Sequence, residues 1–282
     1  MTGMAVTNGA VSALGDVAAA DVVSHHDRVA RLHSGELGCV NSWELVTAVD
    51  GPGTRLTVFM NGCPLRCLYC QNPETWFMRD GTEVEASELI SRIARYLPVF
   101  EATGGGLTLS GGEILMQPAF AARVLRGAKE LGVHTCLDTS GFLGRALTDE
   151  ALADTDLVLL DVKSGDPETY RRVTGEALEP TLRFGRRLAR EGRVEVWVRF
   201  VLVPGLTDAW DNVERVADYT ASLNGVRSGT VTRVEVLPFH QLGREKWHAL
   251  RRPYALEETV PPSPELVRRV RGQFHERGLV TY

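Results

Sequence analysis

The chain is poor in cysteine and has no excess of basic residues. Its 282 residues include five cysteines, 31 lysines and arginines and 36 aspartates and glutamates, which gives a net charge of -5. A nucleic-acid interface usually requires a basic face, so we expect no nucleic-acid partner. The cysteines do not suggest the disulfide framework of a small secreted protein, and we therefore expect a reducing, cytoplasmic location.

Long hydrophobic runs are absent as well. Residues 1–35 are rich in Ala, Val, Gly and Asp, but Asp16 and Asp21 interrupt the apolar stretches and no basic segment precedes them. This segment has the pattern of neither a signal peptide nor a membrane span, so we predict a disordered leader and no membrane partner. Residues 36–282 show no break in composition and are predicted to form one domain. Within them a short basic run, residues 244–252, is interpreted as solvated surface.

Three of the five cysteines stand within eight residues of one another. Cys63, Cys67 and Cys70 have the spacing C-x3-C-x2-C, and three thiolates so close in sequence can converge on one metal centre. Zinc normally takes four ligands from paired motifs, and the sequence contains no second pair. A cubane cluster with three cysteine ligands keeps one iron open to a small molecule. We favour a 4Fe-4S cluster, with a disulfide, a structural zinc site or a chance arrangement as the alternatives.

From residue 54 onward, short apolar runs alternate with amphipathic helical patterns, such as those of residues 86–97 and 120–131. This alternation predicts parallel strands joined by right-handed crossovers. Six strands are too few for a closed eight-fold barrel, so the predicted fold class is α/β, a partial open (β/α)6 barrel of parallel strands. The predicted strands are residues 56–60, 107–109, 133–137, 157–162, 194–203 and 231–237.

Polar segments follow five of the predicted strands. Ligands bind at the carboxyl ends of parallel strands, so we expect these segments to contribute to one site. They are the cysteine loop, Ser110-Gly111-Gly112-Glu113, Asp138-Thr139, Asp161-Val162-Lys163 and His240.

Taken singly, most of these residues have a simpler structural interpretation. A double glycine usually marks a turn, although after a three-cysteine loop it suits the ammonium group of an amino acid, with Glu113 as the carboxylate. Arg199 lies inside an apolar strand and needs a partner. The structural interpretation is a local carboxylate, and the functional one is a ligand carboxylate or Asp161. His240 alone is more often a turn residue.

Together, these motifs resemble the radical S-adenosylmethionine superfamily. The cysteine loop has an aromatic residue, Tyr69, before its third cysteine, and a Gly-Gly-Glu segment follows. The likeness covers residues 32–282 and is specific for the family of pyruvate formate-lyase activating enzymes. Further matching segments are residues 49–53, 134–139, 160–163, 196–199, 203–205 and 237–243.

The resemblance implies an oxidoreductase with a 4Fe-4S cluster and S-adenosyl-L-methionine as cofactors. In this family the reduced cluster cleaves S-adenosylmethionine, and a 5′-deoxyadenosyl radical abstracts hydrogen from a glycine Cα of the partner enzyme. The implied cluster ligands are Cys63, Cys67 and Cys70. The implied catalytic residues are these three cysteines and Lys163. The implied cofactor-binding residues are Tyr69, Cys70, Gln71, Gly111, Gly112, Glu113, Asp161, Val162, Lys163, Arg199 and His240. The implied site for a monovalent cation consists of Asp138, Thr139 and Asp161.

The partners implied by the resemblance are pyruvate formate-lyase and, as electron donor, flavodoxin or ferredoxin, with the activase a monomer. An activase of a different glycyl-radical enzyme, a small-molecule radical enzyme and a redox-sensing or zinc-binding module are the alternatives. Residues 71–110 contain no cysteine, which disfavours activases with additional clusters in this region. The chain departs from the family at Gln71, where histidine is usual, and at Ser164-Gly165, which replace bulkier residues near the substrate opening.

Overall fold

The apolar runs of the sequence form one sheet of eight strands in the computed structural model, which describes residues 25–47 and 50–282. The strands are β1 (Leu37–Thr47), β2 (Thr54–Met60), β3 (Thr82–Glu85), β4 (Gly106–Gly111), β5 (His134–Thr139), β6 (Leu157–Asp161), β7 (Glu195–Leu202) and β8 (Val231–Pro238). Their order in the sheet is β3-β1-β2-β4-β5-β6-β7-β8. Neighbouring strands from β2 to β8 run parallel, whereas β1 pairs antiparallel with β2 and with β3.

All six predicted strands are present, as β2 and β4 to β8. The sheet stays open, because the free side of β2 pairs with β1 and not with β8. The predicted fold class, a partial open barrel of parallel strands, is confirmed.

Two strands at one end of the sheet, β1 and β3, are not predicted from the sequence. Only the first part of β1 is buried, and its pairing with β2 is irregular between Val40 and Ser42. Such a strand lacks the continuous apolar run of a strand that is covered on both faces. In the four residues of β3 only Val84 is buried.

The helices connect the strands and cover the sheet. They are α1 (residues 25–34), α2 (Ala86–Ala94), α3 (Leu97–Thr103), α4 (Pro118–Glu130), α5 (Asp149–Ala153), α6 (Pro167–Thr174), α7 (Glu179–Glu191), α8 (Trp210–Val226), α9 (Arg244–Ala249) and α10 (Pro264–His275). None of the helices in the described ranges is long and apolar enough to cross a membrane.

Of the two helices predicted from periodicity, one is divided in the structure. The pattern predicts a helix through Leu97, but α2 ends at Ala94 and α3 begins at Leu97 with Pro98 in its first turn. Proline has no backbone N–H and its ring clashes with the preceding turn, so the first helix cannot continue through Pro98. The other predicted helix corresponds to α4.

The leader predicted over residues 1–35 lies partly outside the described residues, since residues 1–24 are not among them. The rest differs from the prediction of disorder, because residues 25–34 form α1. Arg28 and Arg31 of this helix form ion pairs with Glu83 and Glu85 of β3. These contacts fix α1 against the edge of the sheet.

Alternate residues of β6 separate the core into two layers. Val158 and Leu160 belong to the large core between the sheet and the helices, which also contains Phe184 of α7. Leu157 and Leu159 instead form a smaller cluster with Cys136 and Trp197. This inner cluster fills the barrel interior beneath the carboxyl ends of the strands, and the functional segments lie above it.

Candidate active site

A cavity of about 380 Å³ opens at the carboxyl ends of the parallel strands. Its volume is typical of ligand-binding pockets. Twelve of the site residues expected from the sequence line it: Cys63, Cys67, Tyr69, Cys70, Gln71, Gly111, Gly112, Asp138, Thr139, Asp161, Lys163 and Arg199. Glu113, Val162 and His240 are not among the lining residues. Val162 is fully buried, and its N–H donates to the carbonyl oxygen of Arg199 at 3.0 Å.

Backbone hydrogen bonds fix the cysteine loop. The N–H groups of Arg66 and Leu68 donate to carbonyl oxygens at the end of α6, at 2.8 and 2.9 Å. The N–H of Cys63 donates to the carbonyl oxygen of Trp76 at 3.1 Å. The thiols of Cys63, Cys67 and Cys70 are unpaired and border the same cavity, so the loop does not contain a disulfide.

The three thiols are arranged around the cavity and not around a single point. Among the residues that the structure describes, no group of three His, Cys, Asp or Glu side chains could hold one metal ion. A zinc ion needs ligands at about 2.3 Å or less, whereas the cysteines of a cubane cluster bind different irons and stand further apart. Burial raises the pKa of all three thiols, that of Cys67 to about 12. Bound iron would favour the thiolates, and the donor set fits a 4Fe-4S cluster better than zinc.

Two tryptophans pack around Cys70. Burial raises the pKa of the Cys70 thiol, and a hydrogen bond from the side chain of Trp76 partly offsets this shift. The indole N–H of Trp247 donates to the carbonyl oxygen of Cys70 at 2.8 Å. The two indole rings meet edge to face with their centroids 5.1 Å apart, an arrangement that aromatic pairs prefer.

The loop after β4 approaches the cysteine loop closely. Gly111 has a φ angle of 109°, and a Cβ atom on Gly112 would lie 2.5 Å from the carbonyl oxygen of Gly62. Only glycine tolerates both conditions. The N–H of Gly112 donates to Met60 O at 2.8 Å. Because neither glycine has a side chain, this wall of the cavity consists of backbone.

Glu113 occupies a position that its motif does not suggest. Its side chain is 2% exposed and does not line the cavity. One carboxylate oxygen accepts hydrogen bonds from Thr139 Oγ1 (2.6 Å) and Leu115 N (3.2 Å), and the other from the hydroxyl and the N–H of Ser140. Burial raises the pKa of Glu113, and these hydrogen bonds, which lower it, offset only part of the shift. The carboxylate therefore joins the loop after β4 to the loop after β5.

Arg199 is the centre of a buried charge cluster. Its guanidinium lies 3.2 Å from Asp138 Oδ1, 3.3 Å from Glu235 Oε2 and 3.7 Å from Asp50 Oδ1. Burial disfavours the charged guanidinium, but the carboxylates of Asp138, Asp161, Asp50 and Glu235 outweigh this effect and raise the pKa of Arg199. Arg199 therefore has local carboxylate partners and also borders the cavity, and its contact with a ligand carboxylate stays a prediction.

The ends of β5 and β6 supply further polar groups. Lys163 Nζ lies 2.6 Å from Asp161 Oδ2 and 5.8 Å from the centre of the Tyr69 ring. Burial is the largest single effect and lowers the pKa of Lys163, but Asp161, Tyr69 and Cys67 together outweigh it and raise the pKa well above its ordinary value. Within the described residues, the buried hydroxyl of Tyr69 and Asp138 Oδ1 have no aligned hydrogen-bond partner. Such unsatisfied groups beside a cavity are available to a polar ligand.

His240 lies beside the cavity through its contact with Gln71. The side-chain amide of Gln71 is 2.9 Å from Nε2 of His240, and the N–H of Leu242 donates to His240 Nδ1 at 3.3 Å. Gln71 thus occupies the family's histidine position and contacts the expected histidine.

The three residues expected at a cation site border the same cavity. Asp138 Oδ2 accepts a hydrogen bond from Ser110 Oγ at 2.6 Å. Thr139 Oγ1 donates to Glu113 and accepts from the N–H of Gly141 at 3.0 Å. Asp138 Oδ1, which also lies 3.2 Å from the guanidinium of Arg199, is the strongest candidate ligand in this group.

Sequence reasoning missed two carboxylates of the site. Asp50 follows β1 in an Asp-Gly-Pro-Gly turn, and Glu235 interrupts the apolar run of β8. A carboxylate at an inward position of a buried strand must be paired, and this signal could have identified Glu235. Asp50 gives no comparable signal, because its contact with Arg199 depends on the pairing of β1.

Comparisons with known proteins agree with this geometry. The sequence profile of the Radical SAM superfamily matches residues 57–218. The chain is 40% identical over 244 residues to pyruvate formate-lyase 1-activating enzyme of Escherichia coli strain K12, covering 86% of this chain and 97% of that protein. It is 42% identical over 222 residues to pyruvate formate-lyase-activating enzyme of Clostridium pasteurianum, covering 79% of this chain and 90% of that protein.

A solved structure supports the fold. A radical SAM methyltransferase from Sphaerobacter thermophilus superimposes with a TM-score of 0.59 over 87% of this chain and 76% of its own. The two sequences are 16% identical, so this likeness concerns the barrel architecture alone.

Proposed function

Because this chain belongs to the radical SAM superfamily and, within it, to the pyruvate formate-lyase activating enzymes, we propose that it forms a glycyl radical on pyruvate formate-lyase. The observation that carries the proposal is the presence of three unpaired thiols around one cavity in a chain of this family. When bound, a reduced 4Fe-4S cluster and S-adenosylmethionine supply the 5′-deoxyadenosyl radical that removes a hydrogen atom from a glycine Cα of the partner.

The residues of this chain hold and orient the cofactors. Cys63, Cys67 and Cys70 would bind three irons and leave the fourth open to S-adenosylmethionine. The backbone at Gly111 and Gly112 would accept the ammonium group of that cofactor, since no side chain blocks this wall. The apolar residues of the inner cluster exclude water from below the site.

Charged groups at the ends of β6 and β7 would recognise the carboxylate of S-adenosylmethionine. Lys163 and Arg199 are the buried cations that border the cavity, and each is held by carboxylates of this chain. Tyr69 and the Gln71–His240 pair would contact the rest of the cofactor. Glu113 contributes by fixing the two loops, and Val162 by its backbone.

A monovalent cation at Asp138, Thr139 and Asp161 is part of the proposal. The carboxylates of Asp138, whose Oδ1 also pairs with Arg199, and of Asp161 offer oxygen ligands, which such cations prefer. Bound there, the cation would offset the repulsion between these two carboxylates and the carboxylate of the cofactor.

We further propose that the chain acts as a monomer and receives its electron from flavodoxin or ferredoxin. The short edge strand β3 faces α1, and residues 280–282 pair with β8 at the other edge. Because both edge strands have neighbours within the chain, pairing with a second copy is not required to cover them.

The test is anaerobic reconstitution with iron, sulfide and dithionite, followed by an assay for 5′-deoxyadenosine. A peptide from the radical loop of pyruvate formate-lyase, deuterated at its glycine Cα, should transfer deuterium to 5′-deoxyadenosine. Cys67→Ala should lose the cluster and the product, whereas Cys39→Ala should keep both, because Cys39 is buried outside the cavity. If deuterium is transferred from a different glycyl-radical enzyme but not from pyruvate formate-lyase, the assigned partner is wrong. If the chain binds zinc and forms no 5′-deoxyadenosine, the proposed activity is refuted.

A further inference from the structure

Three arginines surround two aromatic rings beside the cysteine loop. The guanidinium carbon of Arg66 lies 4.9 Å from the centre of the Trp76 ring, and that of Arg252 lies 4.7 Å from the same ring. Both also approach Phe77, at 5.3 and 5.4 Å, and Arg79 lies 4.7 Å from Phe77. We call Arg66, Arg79 and Arg252 the arginine collar.

The collar is fixed by the chain but poorly neutralised. Within the described residues, Arg66 and Arg252 have no carboxylate oxygen within 4.0 Å, and Arg79 has only Asp80 at 3.7 Å. Cation–π contacts at exposed sites are weak, and they do not cancel the repulsion between like charges. Guanidinium groups held in this way can form paired hydrogen bonds with carboxylates of an incoming molecule.

The collar lies next to the proposed cluster but outside the cavity. Arg66 Nη1 donates to the carbonyl oxygen of Cys63 at 2.6 Å. Arg252 is tied to Trp247 by a backbone hydrogen bond of 2.9 Å, and Trp247 in turn contacts Cys70. None of the three arginines lines the cavity, and the side chain of Arg79 is 79% exposed. A partner can therefore contact the collar from solvent, close to the cysteine loop, without entering the cavity.

We propose that the arginine collar is the docking surface for an acidic one-electron carrier protein that reduces the cluster. One electron leaves the carrier and enters the cluster, and no bond forms or breaks at the collar. The proposal rests on the proposed function, because only a redox-active cluster requires a carrier. The chain as a whole is acidic, with a net charge of -5, so a local positive surface steers an acidic protein to this face and away from the rest of the molecule.

The experiment measures the rate of cluster reduction by reduced flavodoxin, an acidic flavoprotein, with dithionite as the small reductant for comparison. At about 0.01 M salt, where charges interact over roughly 30 Å, Arg252→Gln should slow reduction by flavodoxin about 3- to 10-fold. Arg252→Lys keeps the charge and should retain most of the rate. The effect should vanish at high salt, and reduction by dithionite should be unchanged.

Two further variants make the result decisive. Arg79→Gln should show the same selective loss. Because the side chain of Arg79 is exposed, this variant leaves the cysteine loop intact, so it tests the collar even if Arg252→Gln disturbs the cluster. Arg190→Gln removes the same charge from an exposed position on α7 and should behave as the parent chain.

Unchanged reduction by flavodoxin in both collar variants at low salt would overturn the proposal. So would a loss of pyruvate formate-lyase activation when dithionite is the reductant, because the collar would then bind the substrate protein. Failure of the proposed function gives a different result, since the parent chain would then form no 5′-deoxyadenosine with dithionite.

Discussion

The Glu113 carboxylate accepts hydrogen bonds at both of its oxygens, and each oxygen has one backbone N–H among its donors. Leu115 N donates to Oε1 and Ser140 N donates to Oε2, while hydroxyl groups supply the remaining bonds. Hydroxyl groups can rotate, but a backbone N–H cannot become an acceptor. A carboxylate is therefore the only side chain that satisfies this arrangement at both oxygens.

Glu113→Gln tests this role. In either orientation the new NH2 group faces a backbone N–H, so one buried donor pair is unsatisfied, and we expect the free energy of unfolding to fall by about 1–3 kcal/mol. Urea denaturation measures the change, with Glu101→Gln on the exposed side of α3 as the control. Cluster content and cofactor affinity of the folded variant should remain close to those of the parent. Normal stability with lost cofactor binding would instead mean that Glu113 contacts the ligand.

Among the secondary-structure elements, the parallel strands join through groups at their amino ends as well as at the active-site ends. Asp156 precedes β6, and its carboxylate accepts from Thr135 N of β5 at 2.8 Å and from Lys129 Nζ of α4 at 2.8 Å. Burial alone would raise the pKa of Asp156, but the hydrogen bonds from Lys129 and Thr135 outweigh it, so the pKa lies below its ordinary value.

The lowered pKa makes the contribution of Asp156 dependent on pH. The folded state favours the ionised carboxylate, so its contribution is present above the unfolded-state pKa of about 3.9 and is lost as the pH falls through the lower, folded-state value. Asp156→Asn should reduce the free energy of unfolding by about 1 kcal/mol at pH 7 and by progressively less below pH 4. Asp149→Asn, in an exposed ion pair with Arg187, is the control. An equal effect of Asp156→Asn at pH 7 and pH 3 would contradict the assignment.

The strands of the parallel sheet could be predicted from the sequence because burial on both faces gives short but continuous apolar runs. The helices between them could be predicted from their amphipathic patterns. The half-exposed strand β1 gives no such run. Similarly, the sequence indicates that Arg199 needs a partner but cannot identify it. Its partners come from the turn after β1, from β5 and from β8, and Glu235 faces Arg199 only through the register of β7 and β8. Contacts between residues distant in sequence depend on this register, which no local pattern specifies.

The same limit applies to the cavity wall. The glycines at 111 and 112 could be recognised as a close backbone approach, but the buried position of Glu113 away from the cavity depends on the loop after β5. The arginine collar is a further example, since Arg66 and Arg252 stand far apart in the sequence and meet at Trp76.

At the scale of the whole molecule, an open barrel must protect its last strand. The outer edge of β8 is covered by residues 280–282: Val234 N donates to Val280 O at 2.8 Å, and Tyr282 N donates to Val234 O at 2.9 Å. The guanidinium carbon of Arg233 lies 3.8 Å from the centre of the Tyr282 ring and 4.4 Å from the centre of the Trp197 ring. The segment thus closes the edge that an open sheet would otherwise offer to other chains.

Tyr282→Pro tests whether this short segment supports the proposed monomeric state. Proline removes the N–H that donates to Val234, so we expect a loss of about 1 kcal/mol, equivalent to a fall in Tm of roughly 2–4 °C. The uncovered edge of β8 should also pair with other copies, and sedimentation velocity should show association that increases with protein concentration. Tyr282→Phe keeps the ring and the N–H and should behave as the parent. If the two variants have the same Tm and the same sedimentation coefficient, the segment does not protect the edge, and the proposed monomeric state loses this support.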